Sequence, residues 1–195
     1  MSIGTKIMIP ANEDLFIHIL NTEELLVHCQ NYFKDICNKM FLYTNSLVYL
    51  DNGHYTPRQK HLICKKLYDI FYIIHENSDF GYMDHDRLGR LCFRMAQDSA
   101  VMGEKEVAIK ELEKMLYHFK KMSKFDQIEH SSLLVNTLSS DIKDIRKKDT
   151  ESIYSTFYSY LNDRIYCFES IIDEPEFAKI KNILKEKSNT QRNNN

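Results

Sequence analysis

The stretch Cys92-Phe93-Arg94-Met95-Ala96-Gln97-Asp98-Ser99-Ala100-Val101-Met102-Gly103-Glu104-Lys105-Glu106-Val107-Ala108-Ile109-Lys110-Glu111-Leu112-Glu113-Lys114-Met115-Leu116 decides how the chain is read. It predicts two antiparallel helices joined by a tight turn. Ala96 lies midway along the first helix, where a small side chain lets a neighbour come close. Gly103 is the residue able to take the positive φ that stops a helix. Ala108 and Ile109 open the second helix, and Leu112, Met115 and Leu116 continue its apolar face. One such pair cannot bury that face alone, so it has to stack on further helices.

Outward from this pair the same periodicity recurs. Upstream, Asn21 and Glu24 offer a capping box. Leu25, Cys29, Phe33, Ile36, Met40, Tyr43, Leu47 and Leu50 then follow in steps of three and four, one face of a long helix. Asp51 to His54 supply a turn. Thr56, Pro57 and Gln59 form the sharpest helix start in the chain, and Ile63, Leu67, Ile70, Phe71 and Ile74 line the helix they open. Asn77 to Gly81 break the pattern, and Asp84 is read as the cap of the helix that ends at Gly103. Residues 104–122 form the next helix.

Beyond it the reading is looser. Ser131 to Val135 is an apolar patch compatible with helix or extended chain. Asp141 to Thr150 is read as an exposed charged connection, Ile153 to Leu161 as a helix, and Pro175 as the first turn of a last helix carrying Ile180, Ile183 and Leu184. Residues 1–21 are taken as an N-terminal extension in which Asp14 to Leu20 suits a short helix. Residues 22–187 form one helical domain, and the polar residues 188–195 a disordered tail.

Composition agrees with a helical domain. Hydrophobic residues are 43% and charged residues 28%, with only 5 Gly and 3 Pro, which favours long helices over a turn-rich β fold. A net charge of −2 argues against a free-standing nucleic-acid binder. The 5 cysteines are odd in number and make no C-x-x-C pair, as expected of reduced thiols in a cytoplasmic protein. Neither a signal peptide nor a membrane-spanning run is recognisable.

The Cys92 to Leu116 pair resembles a tetratricopeptide repeat. Longer stretches resemble the tetratricopeptide-like C-terminal region of bacterial XRE-family helix-turn-helix transcriptional regulators. The pieces are Tyr55-Thr56-Pro57-Arg58-Gln59-Lys60, Asp79-Phe80-Gly81-Tyr82 with His85-Asp86-Arg87-Leu88, and Gly103-Glu104-Lys105-Glu106 with Ala108-Ile109. Ser131-Ser132-Leu133-Leu134-Val135-Asn136 and Asp173-Glu174-Pro175-Glu176-Phe177 complete the set in the family's order. The resemblance implies an all-α fold of stacked antiparallel helix pairs in a right-handed superhelix. Relatives of this kind carry a DNA-binding helix-turn-helix at the N-terminus, and no stretch here matches its signature. What is implied is the sensor or assembly half of a regulator, with no direct DNA binding by this chain.

Other constellations have plainer readings. Asp84-His85-Asp86, with His75, Glu76 and Asp79 nearby, lacks the fixed spacing of a metal site, so capping and surface solvation are expected instead. Asp79-Phe80-Gly81 matches a kinase motif only in its letters, since no phosphate-cradling loop accompanies it. Cys64 and Cys92 sit in apolar stripes, as core residues do. Lys143, Arg146, Lys147 and Lys148 alternate with acidic residues, as in a solvated linker. The tyrosines near helix stripes, such as Tyr68, Tyr72 and Tyr117, suit core packing or a groove wall.

The expected function is non-enzymatic: binding a peptide or protein segment on the concave face, without cofactor, metal or membrane. On the repeat alignment Arg90, Phe93 and Gln97 point into that groove. They would supply a cation for a carboxylate, an apolar contact and a backbone hydrogen bond. The alternative is a dimerisation module without a groove, recognisable by an exposed apolar patch on the convex side or at one end of the stack.

Overall fold

The computed structural model describes residues 21–49, 53–76, 80–122, 127–136, 139–141 and 147–189. Six α-helices dominate these residues: α1 (Thr22–Tyr49), α2 (Pro57–Ile74), α3 (Tyr82–Val101), α4 (Lys105–Met122), α5 (Lys147–Asn162) and α6 (Pro175–Asn189). Two 3-10 turns, Arg164–Tyr166 and Glu169–Ile171, lie between α5 and α6. A minimal antiparallel ribbon, β1 (Gln127–Glu129) with β2 (Ser139–Asp141), pairs Ile128 with Ser140. The fold is all-α in character, and no described helix is long and apolar enough to cross a membrane.

The helix starts follow local chemistry. Asn21 Oδ1 accepts from the backbone N–H of Glu23 and Glu24, while Glu24 accepts from the Asn21 N–H. Thr56 and Gln59 close a full capping box, with Pro57 at the first helical position. Asp84 acts one step differently from the expectation. Gly81 occupies the cap, and Asp84, in the third helical position, accepts from the Gly81 N–H.

At the α3–α4 junction Gly103 has φ of 75°. Its N–H donates to the Ala100 carbonyl at 3.0 Å, and the Glu104 N–H donates to the Ser99 carbonyl at 2.9 Å. This pair of bonds is a Schellman motif, which satisfies two carbonyls that the helix end would orphan. It turns the chain sharply enough for α3 and α4 to pack along their length. Ala96 and Ala108 are fully buried. Gly89 is tighter still. A Cβ built there would stand 2.4 Å from Cε1 of Phe119, so the absent side chain makes room for that ring.

The helix α3 is central. It is covered by α2 on one side, α4 on another, and the C-terminal segment on a third. Ser170 Oγ donates to the Ala100 carbonyl at 2.7 Å, tying the second 3-10 turn to the end of α3. Phe71, Phe80, Phe119, Phe157 and Phe177 are among the largest fully buried side chains. At the N-terminal end of the stack, α1 lies against α2. Gln30 is buried and its Nε2 donates to the Leu133 carbonyl and Asn136 Oδ1, at 2.9 and 2.8 Å. Arg94 reaches from α3 to the Val48 carbonyl at 3.1 Å.

Several looser expectations are revised. Residues 133–136 form a turn, so the Ser131–Val135 patch is neither helix nor strand. The ribbon had no clear sequence signal, being only three residues on each side. The last helix runs to Asn189, which shortens the expected tail by two residues. The extension 1–20, the Asn77–Asp79 break, Lys143 and Arg146, and residues 190–195 lie outside the described residues.

Replacing Gly103 with valine tests the turn. A Cβ there meets nothing within 4 Å, so the cost is backbone strain alone. Gly103→Val should destabilise the protein by about 1–2 kcal/mol, read from denaturant melts. An unchanged midpoint would mean that the left-handed turn is dispensable.

Candidate interaction surface

The three residues expected to line a groove do not do so. Phe93 is 2% exposed and belongs to the core. Its ring lies 4.9 Å from Phe157 and 5.5 Å from Phe168, centroid to centroid, with Tyr160 and Tyr166 alongside. Gln97 is buried too. Its Nε2 donates to the Tyr166 carbonyl at 3.3 Å, and its Oε1 accepts from Arg94 at 3.1 Å. Arg90 is 42% exposed, but its Nε donates to both oxygens of Asp86 at 2.9 Å, and its guanidinium lies 5.7 Å from the Phe157 ring centre. The physical reason is the returning chain. In this fold α5 and the 3-10 turns occupy the side of α3 that an open repeat array would leave as a groove.

The wider concavities lie elsewhere. One of about 740 Å³ sits beside the Gly103 turn, among Glu104, Lys105, Glu106 and Glu174. Another of about 480 Å³ runs between α4, α5 and α6, with Leu116, Tyr117, Tyr154 and Ile183 in its wall and Lys120 and Lys187 at its rim. Neither includes Arg90, Phe93 or Gln97.

The titratable groups gather inside, not in a cleft. Asp84 and His85, expected at the surface, are both buried, as are His75, His118 and His130. A hydrogen-bonded row crosses three helices: His85 Nδ1 to His118 Nδ1 at 2.9 Å, His118 Nε2 to Tyr68 Oη at 3.1 Å, and Tyr68 Oη to Tyr72 Oη at 3.0 Å. One neutral arrangement satisfies every link: His85 N–H donates to His118, His118 N–H to Tyr68, and Tyr68 O–H to Tyr72. Burial enforces that neutrality. It pushes the His85 imidazole down to about 4 and, with His85 beside it, His118 down to about 3. Burial likewise raises the Tyr68 and Tyr72 hydroxyls.

Within the row every link has a donor and an acceptor, so it needs no outside group to bridge it. Among the described residues no group of three or more His, Cys, Asp or Glu side chains is placed to hold a metal ion. Ser99 meets His61 Nδ1 at 3.2 Å, but the same nitrogen lies 3.2 Å from the Met95 carbonyl. In the tautomer that carries Nδ1–H, this nitrogen donates to that carbonyl and cannot take the serine proton. Cys64 and Cys92 are buried, and desolvation raises both thiols, Cys64 to about 12. That is the opposite of an activated nucleophile.

The outstanding surface feature is on α1. The row read from sequence as one face of this helix points largely outward. Phe33 is 40% exposed, Tyr43 71% and Leu47 50%, with Cys29 and Ile36 also exposed and Leu25 and Met40 half-buried; Leu26, outside that row, is exposed beside it. The inward row is Gln30, Cys37, Phe41 and Val48. At 100° per residue the two rows lie about a quarter turn apart. Two signals in the sequence bear on this. Steps of 3, 4, 3, 4, 3 and 4 from Leu26 to Leu47 average 3.5 residues, the period of a seam between two helices. The second row also existed, but Gln30 interrupted its apolar pattern.

Comparison with family models, curated proteins and solved structures finds no match for this chain.

Two measurements follow from these placements. Phe93→Ala should cost about 3–5 kcal/mol, as loss of a core ring does, and not the 1 kcal/mol or less of a groove residue. For the histidine row, both folded-state values lie below the ordinary 6.5, so the unfolded chain binds protons that the folded one refuses. Its effect is therefore nil above about pH 7. As pH falls from about 6.5 towards 4, stability should drop. Melts of the wild type and of a His85→Gln, His118→Gln double variant across that range check this. The variant should be less stable at pH 7 but should lose less on acidification.

Proposed function

We propose that this chain is a non-enzymatic protein-interaction module whose working surface is the outer apolar row of α1. The exposed 3.5-residue row is the observation that carries the proposal. Burying large apolar side chains is favourable by about 1.5–3 kcal/mol each, and this helix leaves several in water. Monomeric proteins seldom expose contiguous apolar patches of this kind without a use for them. The position of the row, on the first helix at one end of the stack, is where a dimerisation or assembly module would carry it.

The body behind α1 is proposed to be a tetratricopeptide-like stack serving as a scaffold. Its support is the α3–α4 pair, with its central small residues and glycine turn. Five free thiols support a reducing, cytoplasmic setting. The near-neutral charge supports a protein partner over DNA. A relation to bacterial transcriptional regulators rests on the ordered motifs and would make this the assembly half of such a system.

Photo-crosslinking tests the surface. A benzophenone amino acid placed at Tyr43 should capture a polypeptide in cells, while the same group at Lys179, exposed on α6, should not. Absence of any crosslink at Tyr43 would remove the proposed function.

A further inference from the structure

We infer that the partner helix is α1 of a second copy of this chain, paired in parallel and in register. The inference rests on the interaction-module reading and names its occupant. Three observations carry it.

The first is chemical. From Leu26 to Leu47 the row holds no charged residue, so a copy of itself presents an equally apolar surface with no like charges opposed in the seam. A two-fold axis makes such a contact self-complementary. The second is length. A helix of 28 residues is about 42 Å long, enough for a seam that approaches the roughly 800 Å² per partner of a stable interface.

The third observation sets the direction. The face of α1 that holds it to its own protein, through Gln30, Cys37, Phe41 and Val48, is about a quarter turn from the outer row. If two α1 helices pair in parallel about an axis along the seam, the two protein bodies fall on opposite sides of it. If they pair antiparallel, both bodies fall on the same side of helices only about 10 Å apart, and they collide. Parallel pairing places each residue opposite its own counterpart: Phe33 on Phe33, Ile36 on Ile36, Tyr43 on Tyr43. It also brings the two exposed Cys29 thiols into one layer, at the separation a disulfide needs. In the antiparallel arrangement centred on the row they would lie far apart along the axis.

Sedimentation and thiol crosslinking test this on the full chain, in a Cys167→Ser background that removes the other exposed thiol. Without oxidant the protein should sediment as a dimer at micromolar concentration. With diamide it should become a covalent dimer, and the further change Cys29→Ser should abolish the covalent link but not the association. Ile36→Glu, in the middle of the row and away from the core, should weaken association by about 100-fold or more while far-UV helicity is kept.

A dimer that diamide does not link, or one that Ile36→Glu leaves intact, would overturn the parallel α1 pairing. A monomer would overturn the second copy as occupant. If that monomer still gave a Tyr43 crosslink to a different protein, the interaction-module reading would survive. If it gave none, both would fall.

Discussion

The close approach of α3 to α4 is the contact on which the rest of the molecule depends. It is possible because residue 89 has no side chain where the Phe119 ring lies, and because Gly103 turns the chain within a single residue. Once these two helices are joined, α3 still has two uncovered sides. On one, α2 brings Leu67 and Phe71. On the other, α5 and the 3-10 turns bring Phe157 and Phe168 onto Phe93. A helix covered on three sides has little surface left to offer a ligand. That is why a groove on α3 is closed in this protein even though the helix pair itself looks like a repeat.

Covering α3 on three sides also buries several polar residues in and around it, and four of them satisfy one another. His85, His118, Tyr68 and Tyr72 form a row in which each neutral group has a donor or an acceptor. A charged imidazole there would lack solvent, so burial holds both histidines neutral at ordinary pH. The same residues in an open cleft would look like acid–base machinery. Packed between helices, with only the Tyr72 end reaching solvent, they serve as directional contacts between α2, α3 and α4.

The helix α1 shows the opposite situation. It is anchored by Gln30 to the 133–136 turn and by its C-terminal carbonyl at Val48 to Arg94, yet its larger aromatic and aliphatic residues face away. Polar contacts and a narrow apolar row attach it, and among the described residues the wider row is left uncovered. Of the two apolar rows on this helix, about a quarter turn apart, the described residues cover one.

Local chemistry made much of the fold legible in the sequence. The capping boxes at Asn21 and Thr56, the turn at Gly103, and the spans of α1 to α4 depend on neighbours within a few residues, so spacing reveals them; α5 instead begins at Lys147, inside the stretch 141–150 read as an exposed connection. The facing of those helices was not legible. An apolar row records that a face must be covered, but not by which element, and on α1 most of the row read from the sequence is left outside. Phe93 and Gln97 were misplaced for the related reason that their cover comes from residues 157–168, some 60 or more positions along the chain. Only the tertiary structure brings those distant segments together, because the choice of partner is made by the packing of the whole chain and not by the period of any one helix.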